Sequence, residues 1–230
     1  MTEPIDAEEI ADRLAARAIA DGDPTGWFEP LYAAAAAGEM TVPWDRGEPS
    51  RYLTQWALDR GLDGAGHSAV VVGCGLGEDA EFIAGLGFRT TAFDISPTAI
   101  DSARRRFPDS QVRYEAADLL NPPPDWLAAF DLVVESLVLQ AIPDPPRREA
   151  IPALGDLVAP GGTLIVMARA REPEQAVEGP PWALTRAEVD ALGQSGLEPV
   201  KIEDLIDPQM PWPRRWRAEF RRPHIRPSDV

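Results

Sequence analysis

The stretch Val70-Val-Val-Gly-Cys-Gly-Leu-Gly77 places an apolar run, a turn with three glycines and the start of a helix in direct succession. A second expected strand, from Arg89 to Phe93, is followed by Asp94, which lies 21 residues after Gly73. Glycine lets the backbone turn sharply and approach a ligand closely, because no Cβ stands in the way. The pattern predicts strand, glycine turn, helix and a second strand that ends in an acid, which is a unit that binds a nucleotide cofactor.

The residue after the third glycine separates the possible cofactors. Glu78 stands where a dinucleotide site usually has glycine or alanine, and its carboxylate would occupy the place of a pyrophosphate. No Gly-Lys-Ser or Gly-Lys-Thr follows, which excludes a Walker loop. A cofactor with ribose and adenine but no phosphate fits, since sulfonium and ammonium groups tolerate nearby acids. S-adenosylmethionine has that description.

The chain has 230 residues, enough for one α/β domain with a substantial core. From Ser68 onward, short β-branched or apolar runs alternate with helical ones, as in a parallel sheet covered on both faces. Two last strands are expected to form a hairpin at the sheet edge. The expected strands are Ser68 to Val72, Arg89 to Phe93, Gln111 to Glu115, Phe130 to Val134, Thr163 to Ala168, Leu197 to Ile206 and Arg214 to Arg222.

The helical segments fall into two groups. Apolar residues at helical spacing predict one helix over the first twenty residues, and two more are expected over 27–37 and 49–60. We expect residues 1–60 to form a helical cap, residues 61–230 the core, and 170–185 a loop on the acceptor side. The helices expected within the core are Glu78 to Leu86, Pro97 to Arg106, Leu137 to Ile142, Arg147 to Leu157 and one from Thr185, where Thr-Arg-Ala-Glu fits a capping box.

Five short motifs occur in register with this alternation of strands and helices, so that the segment Val70 to Val166 resembles the core of a class I S-adenosylmethionine-dependent methyltransferase. The motifs are Gly73-x-Gly75-x-Gly77, Asp94, Ala-Ala-Asp118-Leu, Phe130-Asp-Leu-Val-Val-Glu135 and Ala159-Pro-Gly-Gly-Thr-Leu. The resemblance implies an α/β, Rossmann-like, seven-stranded and mostly parallel sheet of order 3-2-1-4-5-7-6, with the last strand antiparallel and a helical cap at the N-terminus.

The resemblance also implies roles for particular residues. Asp94 would receive the two ribose hydroxyls, Asp118 would lie near the adenine amino group, and Leu119 would flank the ring. Many members carry an acid at the position of Val71, so the partner of the cofactor ammonium stays open between Glu78 and Glu135. The full set expected around the cofactor is Trp44, Gly73, Cys74, Gly75, Gly77, Asp94, Ile95, Asp118, Leu119 and Glu135.

A second resemblance concerns the segments outside the core. Val42-Pro-Trp-Asp-Arg-Gly-Glu-Pro49 and Gly179-Pro-Pro-Trp-Ala-Leu-Thr are similar to elements of the thiol, thiopurine and halide methyltransferase branch. In that branch the tryptophan before the core helps to enclose the cofactor, and Trp44 matches it. Aromatic residues outside the core are candidates for an acceptor pocket, with core packing as the alternative, and here they are Trp27, Tyr32, Trp44 and Trp182.

The expected chemistry needs little from the protein beyond alignment and exclusion of water, because a sulfonium is already an activated leaving group. Neither His67 nor His224 is well placed as a base, and the single Cys74 excludes a multi-cysteine metal site, so no metal is expected. These absences favour a small acceptor that ionises readily, a thiol or an acidic phenol or other hydroxyl, with Glu135 and Asp45 as fallback bases. The alternatives are a non-catalytic regulatory protein that binds S-adenosylmethionine and a protein methyltransferase.

The charge of the chain bears on its partners. A formal net charge of -16, from 22 basic and 38 acidic residues, would repel nucleic acid and anionic membranes, so neither is an expected partner. The acidic N-terminus does not resemble a signal peptide, and we expect a cytoplasmic monomer or homodimer. The arginines at 214, 215, 217, 221 and 222 alternate with apolar residues and are interpreted as the outward face of a strand, with a local anion site as the alternative.

Overall fold

The computed structural model describes residues 7–176, 179–208 and 212–224. One seven-stranded sheet has the order β3-β2-β1-β4-β5-β7-β6, which confirms the predicted order. Strands β1 to β5 are parallel to their neighbours, while β7 runs antiparallel to β5 and to β6. The strands are β1 (Ser68–Val72), β2 (Arg89–Asp94), β3 (Arg113–Ala116), β4 (Phe130–Ser136), β5 (Val158–Arg169), β6 (Glu198–Ile206) and β7 (Arg214–Arg221).

The helices cover both faces of this sheet and one end of it. Each face carries its own apolar cluster, and β1 contributes Val70 and Val72 to one cluster and Ala69 and Val71 to the other. Among the described residues, no helix combines the length and the apolar character needed to span a membrane. The helices are α1 (Ala7–Ala20), α2 (Phe28–Ala36), α3 (Arg51–Asp59), α4 (Glu78–Gly85), α5 (Pro97–Arg106), α6 (Pro146–Asp156) and α7 (Arg186–Asp190).

The prediction of a helix over Leu137 to Ile142 is wrong. Only a 3₁₀ turn, Leu139–Ala141, occupies this segment. Leu137 has a positive φ of 69°, which an α-helix does not allow, and Pro143 follows closely. The capping box predicted at Thr185 is present, with reciprocal bonds between Thr185 and Glu188 at the start of α7.

The prediction of a solvated polar face on the arginine-rich strand β7 is also wrong for the middle of the strand, although Arg221 at its far end is exposed. Arg215, Arg217 and Glu219 are buried, as are the apolar residues between them. Helix α3 covers this face: Trp56 Nε1 donates a 3.0 Å hydrogen bond to Glu219, which also pairs with Arg60. The polar residues in the middle of this alternating pattern therefore form a layer beneath α3 and not a solvated face.

A third apolar cluster joins α1, α2 and the segment before α3 to the start of α5. Its buried members include Leu31 and Val42 from the N-terminal part and Ala99 from α5. Glu29 of α2 accepts hydrogen bonds from the hydroxyls of Ser96 and Thr98, each at 2.5 Å. The N-terminal helices are thus fixed at the carboxyl end of β2, beside Asp94.

Candidate functional site

The three glycines of the turn after β1 all have positive φ, at 56°, 53° and 101° for Gly73, Gly75 and Gly77. A Cβ on any of them would also meet a side chain from elsewhere in the chain. At Gly73 it would overlap Val138, at Gly75 it would lie 2.9 Å from the Tyr32 hydroxyl, and at Gly77 it would lie 2.5 Å from the Tyr114 hydroxyl. Both the backbone conformation and the packing therefore require glycine.

Asp94 ends β2 directly beneath this turn. One carboxylate oxygen accepts a 3.0 Å hydrogen bond from Gly75 N, and the other accepts one of the same length from Ser96 N. The backbone N–H of Ile95 is a further donor to Asp94, and a carboxylate has about four acceptor positions, so capacity for a hydroxyl donor is left. Burial raises the pKa of Asp94 to about 6. Sequence reasoning paired the turn with Asp94, and the structure brings the two into contact.

The neighbours of the turn and of Asp94 differ in how accessible they are. Ile95 is exposed and available beside Asp94. Cys74 lies within the turn, and burial raises the pKa of its thiol well above the ordinary value, so the thiol is protonated at neutral pH. Asp118 is half-buried with one oxygen held by Leu120 N at 2.9 Å, whereas Leu119 is buried in the core cluster. The adenine contacts expected for Asp118 and Leu119 stay predictions.

The four aromatic residues predicted for an acceptor pocket come together in the N-terminal cluster. Trp44 Nε1 donates a 3.0 Å hydrogen bond to the Tyr32 hydroxyl, and its ring lies edge-on to Trp27 at 5.9 Å between centroids. Trp182 packs against the same cluster. Trp27 and Tyr32 are buried, whereas Trp44 is 36% exposed, so Trp44 presents the largest fraction of its surface.

Arg106 connects two of the candidate acids at the rim of the site. Its guanidinium nitrogen lies 3.2 Å from Asp45 and 2.8 Å from Glu78. Asp45 also accepts a hydrogen bond from Gly47 N at 2.9 Å. Arg106 therefore ties the loop that carries Trp44 to the start of α4. Nothing in the sequence signalled this link, because Arg106 is 61 residues from Asp45.

Glu135 is fully buried at the end of β4. Its Oε1 accepts hydrogen bonds from Val138 N at 2.6 Å and Leu139 N at 2.9 Å, while Oε2 has no hydrogen-bond partner among the described residues. Burial raises the pKa of Glu135 to about 7. Glu135 thus holds the turn whose Val138 packs against Gly73, a role that sequence reasoning missed. Its roles toward cofactor and acceptor stay predictions.

The site has the donor and acceptor set that a cationic cofactor without phosphate requires. The first turn of α4 carries Glu78, Asp79 and Glu81, which would repel the phosphate that a helix N-terminus otherwise attracts. Asp94 offers a desolvated carboxylate for hydroxyl donors at the same turn. S-adenosylmethionine satisfies both conditions, since it combines ribose hydroxyls with two positive groups.

Comparison with known proteins agrees with this arrangement. Residues 70–164 match the family model described as a methyltransferase domain. The ubiquinone biosynthesis O-methyltransferase of Xanthomonas axonopodis pv. citri is 33% identical over 114 residues, which are 49% of this chain and 47% of that protein. An uncharacterized methyltransferase of Mycobacterium tuberculosis is 39% identical over 97 residues, 42% of this chain and 47% of that protein. The matched segment thus spans about half the length of each relative.

Three solved structures share the fold over most of the chain. The first takes part in the conversion of a disulfide bond into a thioacetal group during echinomycin biosynthesis. It aligns with a TM-score of 0.68 and 23% identity, over 87% of this chain and 93% of the neighbour's chain. The N-methyltransferase NodS from Bradyrhizobium japonicum, in complex with S-adenosyl-L-homocysteine, has a TM-score of 0.60 and 23% identity, over 93% and 99%. The 4+2 cyclase SpnF has a TM-score of 0.66 and 17% identity, over 94% and 97%. Residues 70–164 are therefore a methyltransferase domain, and the chain has the fold of the class I S-adenosylmethionine-dependent methyltransferases.

Proposed function

We propose that this protein transfers the methyl group of S-adenosylmethionine to a hydroxyl or thiol of a small-molecule acceptor. The observation that carries the proposal is the contact between the glycine turn and Asp94 beneath the Tyr32 and Trp44 pair. This arrangement supplies a hydroxyl-binding carboxylate, close backbone approach and an aromatic cover in one place.

In this proposal the cofactor supplies a methyl group on an activated sulfonium, and the chain supplies position and a dry environment. Asp94 binds the ribose hydroxyls, Gly73 and Gly75 allow the backbone to approach, and Asp118 offers its free oxygen to the adenine amino group. Glu135 supports the turn that closes against Gly73. Its Oε2, buried and without a described partner, is the acceptor available for the cofactor ammonium.

The acceptor side is assigned in the same proposal. The predicted cap of residues 1–60, of which 7–60 are described, covers the site, and the described part of the segment 170–185 borders the acceptor, because Trp182 N donates a 2.6 Å hydrogen bond to the carbonyl of Gln140, shortly after β4. His67 and His224 lie beside the amino-terminal ends of strands, near Asp131 and Gly161 respectively. They are at the opposite sheet edge from Asp94, so neither serves as a base, which supports an acceptor that ionises readily.

The relatives bear on the atom that is methylated. The Xanthomonas relative is an O-methyltransferase, which favours a hydroxyl. The echinomycin neighbour takes part in a conversion at sulfur, which keeps a thiol in the acceptor set. The SpnF neighbour is a cyclase, so the fold alone does not establish methyl transfer, and a regulatory protein or a protein methyltransferase is a competing function.

Isothermal titration with S-adenosylmethionine and S-adenosylhomocysteine tests the cofactor. We expect both to bind, with Asp94→Asn weakening each by more than tenfold, and absence of binding by the unmodified protein would refute the proposal. Incubation with labelled cofactor and a panel of phenols, thiols and lysate protein then tests the reaction. Label on a phenol or thiol supports the enzyme, label on protein supports the protein methyltransferase, and binding without turnover favours the regulatory protein.

A further inference from the structure

The arginines of β7 differ in their partners. Arg214 Nε lies 2.8 Å from Asp204, and Arg217 Nε lies 2.8 Å from Glu203, so both charges are balanced by carboxylates. Arg215 is 5% exposed, and no ion pair links it to a described carboxylate. A buried cation without a counter-ion is costly unless a ligand completes the site.

Arg215 faces a second arginine. In the antiparallel pairing of β5 with β7, Arg215 is directly opposite Arg169, so the two side chains leave the sheet on the same face. Like charges directly opposite each other destabilise a sheet. Trp212 holds both: its carbonyl accepts a 2.6 Å hydrogen bond from Arg215, and its ring lies 5.1 Å from the Arg169 guanidinium carbon.

Arg46, in the exposed loop after Trp44, is near enough to both arginines to repel them electrostatically. Burial, with repulsion from Arg215 and Arg46, lowers the pKa of Arg169 to about 10, which still leaves it cationic at neutral pH. Glu8 at the start of α1 attracts Arg169 across the same space. Arg46, Arg169 and Arg215 are called the arginine cluster below.

Arg169 and Arg215, two members of the arginine cluster, lie at the edge of the sheet where β5 ends and β7 begins. Arg169 is two residues beyond Met167, which pairs with Ser136 directly after Glu135. The Arg169 backbone N–H donates a 2.6 Å hydrogen bond to the side chain of Gln140, in the turn after β4. The cluster thus borders the region assigned to the acceptor.

We propose that the arginine cluster binds a carboxylate of the acceptor, so that the molecule methylated is a small organic acid. The identification of the bound acid as the methyl acceptor rests on the proposed function. A chain of net charge -16 repels small anions in general, and the paired Arg169 and Arg215 concentrate positive charge at one place on it. A guanidinium matches the two oxygens of a carboxylate, and binding one relieves the repulsion between Arg169 and Arg215.

Calorimetric titration of the full chain, with and without S-adenosylhomocysteine, tests the site through three probes: benzoate, benzamide and phenyl phosphate. We expect benzoate to bind at least tenfold more tightly than benzamide, which has the same ring without the charge. Arg169→Gln should reduce benzoate affinity at least tenfold, and Arg169→Lys should retain part of it. Equal binding of benzoate and benzamide overturns the proposal, and tighter binding of phenyl phosphate overturns the choice of a carboxylate.

Arg221→Gln is the matched control, since it removes the same charge from the exposed far end of β7 and should leave benzoate binding unchanged. A purely structural Arg169 would lose thermal stability on substitution, whereas relief of repulsion predicts an unchanged or higher Tm for Arg169→Gln without ligand. If Arg169→Gln does not fold, the exposed Arg46→Gln takes its place, and an unchanged benzoate affinity in that variant counts against the cluster.

The proposed function and this inference fail in different ways. Benzoate binding requires no methyl transfer. Selective binding of benzoate without turnover of any acceptor would therefore support the carboxylate site and refute the proposed function. Methylation of 4-hydroxybenzamide at the same rate as 4-hydroxybenzoate would support the proposed function and refute the carboxylate site.

Discussion

The Trp44 indole N–H donates a 3.0 Å hydrogen bond to the hydroxyl of Tyr32, and that same oxygen lies 2.9 Å from where a Cβ would stand on Gly75. Tyr32 belongs to α2, Trp44 to the loop before α3, and Gly75 to the turn after β1. One hydroxyl therefore joins the N-terminal helices to the glycine turn. Substitutions in the cap should consequently change the affinity for the cofactor.

Tyr32→Phe removes this oxygen and keeps the ring. We expect the free energy of unfolding to fall by about 1 kcal/mol, as for loss of one hydrogen bond. We also expect S-adenosylhomocysteine to bind several-fold more weakly, because Trp44 is no longer held over the turn. Chemical denaturation and calorimetry measure the two effects. Tyr52→Phe is the control, since among the described contacts the Tyr52 hydroxyl accepts only a 2.9 Å hydrogen bond from exposed Arg51. An equal loss of cofactor affinity in Tyr52→Phe would contradict the prediction.

Gly75→Ala places a methyl group against the Tyr32 hydroxyl at a φ of 53°. We expect cofactor affinity to fall more than tenfold. Part of that loss is steric, so the double variant with Tyr32→Phe should recover some affinity relative to the sum of the single effects. Simple additivity in this double-mutant cycle would show that the contact is unimportant. Gly193→Ala is the control, because no atom lies within 4 Å of its Cβ position.

Asp94 should make cofactor binding depend on pH. The ionised carboxylate accepts ribose hydroxyls better than the protonated one, and burial raises the pKa of Asp94 to about 6. We expect calorimetric affinity for S-adenosylhomocysteine to fall as pH decreases through about 6. Asp94→Asn should bind weakly throughout and lose this dependence. Asp63→Asn, which changes a similar turn at an exposed position, should keep the unmodified profile, and a flat profile in the unmodified protein would contradict the assignment.

Glu135 should make stability depend on pH. Its folded pKa of about 7 lies above the ordinary value of 4.5, so folding favours the protonated form. The stabilisation is fully present below pH 4.5 and is lost as pH rises through about 7, a total of roughly 3 kcal/mol. Relative to the unmodified protein, Glu135→Gln should therefore gain stability between pH 5.5 and pH 8 in chemical denaturation. Glu198→Gln, at an exposed position, should show no such relative gain.

Glu135→Gln also separates two roles. Glutamine can still accept the bonds from Val138 N and Leu139 N, so the turn should persist. If Oε2 binds the cofactor ammonium, affinity for S-adenosylmethionine falls because the charge is gone. An unchanged affinity would leave Glu135 with the turn alone.

The sequence by itself determined the sheet and the centre of the site. Positive φ at Gly73, Gly75 and Gly77 is a local requirement that only glycine meets cheaply, and apolar runs report strands covered on both faces. The strand order and the meeting of Asp94 with the turn follow once those strands are parallel neighbours. Such features are readable because their cause lies within a few residues of the signal.

Only the tertiary structure decided which distant side chains meet. Arg106 joins Asp45 to Glu78, and Arg169 faces Arg215, across separations that no short pattern records. The polar side of β7 was interpreted as solvated, yet Trp56 of α3, 163 residues from Glu219, covers it. Periodicity shows which residues share a face of a strand. Folding determines which elements pack against that face. Those elements decide whether a charge there is paired, solvated or buried without a counter-ion.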